Sequence, residues 1–138
     1  MSNLLKSSNP PTIREPFGNY VHSISVPAGY KLMVTSGQLG ASKDDATPES
    51  AADQARICFH NIQEILAQHH MTFANIVKVN GYLTSRDYFA DYMAVRDEFI
   101  PDPVCSTLLI VSGFTRPEFK VEVEITAVAP SDAIKHSL

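Results

Sequence analysis

The run Phe119 to Val128, FKVEVEITAV, alternates apolar and polar side chains along its whole length. Successive side chains of a strand point to opposite faces, so Val121, Val123, Ile125 and Ala127 share one face while Glu122, Glu124 and Thr126 share the other. A chain with such a strand must build a sheet buried on one side, and it must supply something apolar to bury it. Two segments answer that need. Thr47-Pro48-Glu49 has the makings of a helix start: threonine caps free amides, proline in the first turn gives up no hydrogen bond, and glutamate suits the positive end of the dipole. Behind it Ala51, Ala55, Cys58, Ile62, Ile65, Leu66 and His69 recur at three- and four-residue steps, which predicts a helix from about Pro48 to His69 with Cys58 as a small core residue. Ser85-Arg86-Asp87 caps a second helix, with Phe89, Tyr92, Met93, Arg96, Phe99 and Ile100 as its expected buried face and Pro101 and Pro103 ending it.

The remaining strands are read from β-rich runs between turn residues. Tyr20 to Val26 and Tyr30 to Ser36 are joined by Pro27-Ala28-Gly29 and predict a hairpin. Ile76 to Thr84 is a strand with Val77, Val79 and Gly81 on one face, and Cys105 to Ser112 is another. The order β-β-α-β-α-β-β, with two amphipathic helices on one face of a mixed sheet, predicts a two-layer α+β domain. Its other sheet face stays uncovered, and a partly apolar uncovered face implies self-association.

Composition removes several alternatives. The 138 residues are 44% apolar and 19% charged, which excludes a disordered or low-complexity chain. A net charge of -4 argues against a dedicated nucleic-acid binder. No apolar run approaches the ~18 residues of a membrane span, and Met1 to Thr12 lacks the apolar region of a signal peptide, so a cytoplasmic location without a membrane partner is expected. Residues 1–19 read as a Pro-, Asn- and Ser-rich irregular arm, 20–130 as one domain and 131–138 as a polar tail. Two cysteines, Cys58 and Cys105, make no disulfide framework. His60 and Glu64 stand one helical turn apart and His69-His70 follows, but two ligands do not make a metal site, so no metal is expected.

If the last two strands pair as a hairpin centred between Gly113 and Phe114, Cys105 faces Glu122. A polar row of Cys105, Thr107, Glu122 and Glu124 then lies on the helix-free face, with Leu108, Ile110, Val121 and Val123 against the helices. Glutamates two apart on an apolar strand also fit the wet face of an ordinary antiparallel sheet. A general-base role requires one of them partly buried with its pKa raised.

The segments FGNYVHS, VTSGQLG, AADQARICFHNIQEIL, IVKVNGYLTSRDYFADYM and VEVEITAVA together resemble the reactive-intermediate deaminase family, RidA or YjgF, over about Asn9 to Pro130. The resemblance implies a chorismate-mutase-like α+β fold and a homotrimer with a central sheet barrel. It also implies inter-subunit clefts that hydrolyse imines and enamines with no cofactor. It assigns Tyr20 and Ser36 as pocket hydrogen bonders and Glu122 as the carboxylate that serves the C=N carbon through water. The arginine of the family's P-x-R-S pattern falls on Cys105 in Pro103-Val104-Cys105-Ser106, and the family's helix asparagine falls on Met93. A cysteine offers one weak donor where arginine offers a charged fork. The chain therefore reads as a branch lacking the substrate-binding arginine.

The expected function is hydrolysis or deamination of a C–N compound other than the usual amino-acid-derived 2-imino acids. Glu122 and Cys105 are its expected catalytic residues, and Tyr20, Ser36, Met93 and Thr107 contact the substrate. Arg14 and Arg96 are candidates for a replacement positive charge, whereas Arg116 lies too far along the strand. The alternative is a non-catalytic trimer that binds a metabolite in the same cleft.

Overall fold

In the computed structural model, which describes residues 4–132, the chain runs β1 (Lys6–Ser8), β2 (Ser23–Ser25), β3 (Tyr30–Val34), β4 (Gln38–Leu39), α1 (Ala51–Gln68), β5 (Ile76–Leu83), α2 (Phe89–Phe99), β6 (Cys105–Ile110) and β7 (Val121–Pro130). Strands β3, β7, β5 and β6 lie side by side in that order, and β4 continues the β3 edge alongside β7. Only β5 and β6 are parallel; the other pairings in this sheet are antiparallel. Both long helices cover one face, giving the expected two-layer α+β arrangement, with no closed barrel among the described residues.

The core lies between the helices and that face. Phe59, Ile62 and Leu66 from α1 meet Val79, Leu83, Val121 and Val123 from the sheet, all with no solvent exposure. Each such side chain contributes roughly 1.5–3 kcal/mol through burial. The Phe59 ring stacks on Phe99 at 5.4 Å, locking the two helices together. Cys58 is buried as expected, its thiol donating to the Gln38 carbonyl at 3.2 Å, and burial pushes its pKa up to about 12. That thiol is structural.

Several local expectations are corrected. The last two strands do not form a hairpin, because β5 lies between them. A parallel strand needs a crossover, and α2 provides it, delivering β6 to one side of β5; the chain then returns so that β7 takes the other side. The first predicted hairpin is also absent. β2 pairs with β1 through Lys6↔Ser25, so the arm is not wholly irregular, and β3 pairs with β7 instead. Pro27 has no amide to donate, and Gly29 (φ 92°) turns the chain away from its preceding strand.

Helix α1 starts later than Thr47-Pro48-Glu49 implies. Ser50 is the cap, its hydroxyl accepting from the Asp53 amide at 3.1 Å. In β5 an irregularity between Ile76 and Lys78 turns Val77 away from Val79 and into a small cluster with Leu5 and Val128. In α2, Phe89 is half exposed and Val95 takes its place in the core, while Ile110 at the end of β6 is also open to solvent. The start of the predicted tail, 131–132, lies within the described residues, and 133–138 lie outside them.

Candidate functional site

The alternation of β5 sends Val79 and Gly81 toward the helices and Lys78, Asn80 and Tyr82 to the helix-free face. Their cross-strand partners complete three rows: Cys105–Lys78–Thr126, Thr107–Asn80–Glu124 and Leu109–Tyr82–Glu122. Cys105, Thr107, Glu122 and Glu124 therefore do share the helix-free face. Cys105 does not face Glu122, however. They stand four residues apart along the strands and two strands apart across them, roughly 16 Å at ~3.3 Å per residue and ~4.8 Å per strand. The alternation that places Lys78, Asn80 and Tyr82 beside them is visible in IVKVNGYL. A direct pairing of the last two strands hides it by leaving β5 out.

Hydrogen bonds organise this face. The Lys78 ammonium donates to Thr107 Oγ1 at 2.9 Å. Tyr82 Oη and Asn80 Nδ2 both donate to Glu124 Oε1, at 2.7 and 3.2 Å. The Glu122 carboxylate accepts no hydrogen bond among the described residues. Burial raises its pKa above the ordinary glutamate value, and the neighbouring Glu124 charge adds to the rise. Its carboxyl packs against Gly37, where a β-carbon would lie 2.6 Å from Glu122 Cδ. Ser36, just before that glycine, is exposed at the same end of the sheet.

The other predicted residues gather at the free edge of β6. Tyr20 makes a parallel bridge to Val104, and its hydroxyl accepts the Phe17 amide at 3.0 Å. Tyr20 and Met93 line one cleft of about 250 Å³ with Phe17, Phe89, Ser106 and Leu108. Cys105 and Thr107 alternate with Ser106 on the same strand, so they turn to the opposite face of that edge. Burial raises the Cys105 pKa, against the opposing pull of Lys78 and of a hydrogen bond with the Ile24 backbone. This favours a neutral thiol over an activated thiolate.

The six predicted residues thus form three sets: Ser36 with Glu122 on the β4 side of the sheet, Cys105 with Thr107 on the helix-free face of β6, and Tyr20 with Met93 in the cleft on the other side of the β6 edge. Of the candidate cations, Arg96 is buried with Nη1 2.9 Å from Asp97, and Arg14 lies 3.5 Å over the ring of Phe17 at the cleft. The cation paired in register with Cys105 is one that sequence reasoning missed, Lys78.

A family model described as Endoribonuclease L-PSP matches residues 12–129. The chain belongs to that family. Endoribonuclease L-PSP relatives include the RutC family protein YjgH of Escherichia coli, 29% identical over 116 residues that cover 83% of this chain and 87% of YjgH. Protein mmf1, mitochondrial, of Schizosaccharomyces pombe is 37% identical over 101 residues, 70% of this chain and 62% of mmf1. A solved member of the conserved Rid protein family, YyfB from Yersinia pestis, superposes with a TM-score of 0.79 over 91% of this chain and 99% of its own. At 20% identity that likeness concerns the fold, which is the α+β arrangement described above. Among the described residues of this Endoribonuclease L-PSP member, no helix is long and apolar enough to cross a membrane.

Proposed function

We propose that this protein is a cofactor-independent, cytoplasmic homotrimer that hydrolyses an imine, enamine or related C–N compound in clefts between subunits. The observation that carries the reading is Glu122: a half-buried carboxylate with a raised pKa, no hydrogen-bond donor of its own among the described residues, and a glycine backbone behind it. Such a group is suited to holding and deprotonating a water. In the reaction, water attacks the C=N carbon and gives a proton to Glu122 as the new C–O bond forms. The π pair goes to nitrogen, leaving a carbinolamine. Glu122 returns its proton to that nitrogen, completing the neutral carbinolamine. It then takes the carbinolamine hydroxyl proton and passes it to the same nitrogen as the C=O bond forms and the C–N bond breaks, so that a carbonyl compound and an amine or ammonia leave.

The rest of the site comes from the β6 edge of a neighbouring copy, since Cys105 and Glu122 of one chain are too far apart to share a small substrate. Thr107 and a neutral Cys105 contact the substrate from the helix-free face of that edge, and Tyr20 and Met93 wall the cleft on its other side. With no arginine at position 105, the substrate is one that needs no two-pronged grip on a carboxylate at that point. The net charge of -4 argues against RNA as the substrate.

The test is a panel of imines, enamines and aminomuconate-type compounds assayed with wild type and Glu122→Gln. Turnover of at least one member is expected, and the variant should lose roughly 10²- to 10⁴-fold. The rate should fall as pH drops through a midpoint above that of an ordinary glutamate, because the base must be unprotonated. Equal rates for the two proteins, or no turnover of any compound, would overturn the proposal.

A further inference from the structure

Glu124 is the most heavily tethered carboxylate on the helix-free face, yet the hydrolysis above assigns it nothing. Tyr82 stands directly across from Glu122 in the sheet register, but its hydroxyl passes that neighbour and reaches Glu124, where Asn80 joins it on the same oxygen. The two glutamates are therefore treated differently by the same strand. One is tied by two donors, and the other is left without one.

We propose that Glu124 is a positioning residue, its charge fixed in place by Tyr82 and Asn80 so that Glu122, one side chain along the same face, works as the proton carrier. The inference rests on the hydrolytic reading of Glu122. Two carboxylates on one strand face repel each other, and the one with fewer hydrogen bonds is the one that takes the proton. If Glu124 swung freely into water, its field at Glu122 would be screened and variable; tethering holds it constant. The rise in the Tyr82 pKa, caused first by this same hydrogen bond, keeps the phenol a donor through the neutral range.

The other groups around Glu122 do not take over this role. Leu39 of β4 is its partner on the second side, and Leu109 completes its row across β5. Lys120, two residues earlier, turns its ammonium to Glu49. Lys78 is engaged with Thr107, two rows away. Cys58 senses Glu122 from the helix side but is itself buried and neutral.

The experiment is a carboxyl NMR titration of Glu122 in the full-length protein, alongside the pH profile of hydrolysis. Glu124→Gln keeps an oxygen for Tyr82 and Asn80 but removes the charge, so the Glu122 midpoint should move downward and the acid limb of the rate profile should follow it. Tyr82→Phe should move both in the same direction by a smaller amount. A purely structural Glu124 predicts no movement in either. An unchanged Glu122 midpoint in folded Glu124→Gln overturns this inference. Absence of turnover by wild type overturns the hydrolytic reading instead, and the NMR midpoints still decide whether Glu124 controls Glu122.

Discussion

Two residues show how single side chains are held for different ends. Gly37 stands where a β-carbon would press on Glu122 Cγ, Cδ and Oε2 at 2.9, 2.6 and 2.9 Å. The neighbour that must give is the end of a side chain, so Gly37→Ala should leave the fold nearly intact while displacing the carboxyl. The expected result is a loss of roughly ten-fold or more in hydrolysis, as follows from a small misplacement of a reacting group, with a thermal midpoint close to wild type. Gln54 has the opposite profile. It is fully buried, donates to the carbonyls of Pro48 and Glu118 at 2.9 and 3.0 Å, and accepts the Lys120 amide at 2.8 Å. It pins the loop before α1 to the entry of β7. Gln54→Leu leaves three backbone groups without partners and should cost about 2–4 kcal/mol in denaturant unfolding. A change below about 0.5 kcal/mol would mean that water replaces the amide fully.

Helix α1 separates what a sequence pattern carries from what it does not. Its apolar stripe identifies the helix and the buried Cys58, but two start signals compete within four residues. Ser50 wins because its hydroxyl reaches the Asp53 amide, whereas Thr47 Oγ1 is buried with no partner. Ser50→Ala should therefore destabilise by about 1 kcal/mol, and Thr47→Val should be neutral or slightly stabilising, both read from unfolding midpoints. The reverse ranking would return the cap to Thr47. The strands follow the same rule. Period-two alternation puts Glu122 with Glu124 and Cys105 with Thr107, since parity within a strand survives any choice of neighbour. That the two pairs share the helix-free face rested on the hairpin register and holds here through their common neighbour β5. Alternation could not reveal that β5 sits between β6 and β7, because pairing partners depend on the crossover through α2 rather than on the strand's own residues. For that reason the face of the candidate site was legible and its rows were not. Val77 was missed for a related cause: one extra residue in the ladder reverses the parity that the pattern counts.

On the scale of the whole molecule, the helix-free sheet face is the feature left unfinished: Leu5 and Ile24 cover only its Val77–Val128 end. Leu32 and Val34 of β3 are each 66% exposed there, and Leu109 of β6 is 49% exposed on the same face. The two outer edges differ, since β3 and β4 carry Ser36 and Glu122 nearby while β6 carries Cys105, Thr107 and the Tyr20–Met93 cleft. An interface joining unlike edges is heterologous, and a closed ring of three is one way for it to end. Each cleft would then draw its two halves from different chains. Glu122→Gln damages one half, and Met93→Trp, which fills the cleft at β6, damages the other. Each homotrimer should be nearly inactive, and a one-to-one mixture unfolded and refolded together should recover roughly a quarter of wild-type activity. Random mixing gives three mixed trimers in four, each with one intact cleft of three. Light scattering fixes the subunit count in the same samples. Failure to recover activity from a mixture that does form mixed trimers would place both halves of the site within one chain, and the gap of roughly 16 Å between Cys105 and Glu122 would then need a substrate long enough to span it.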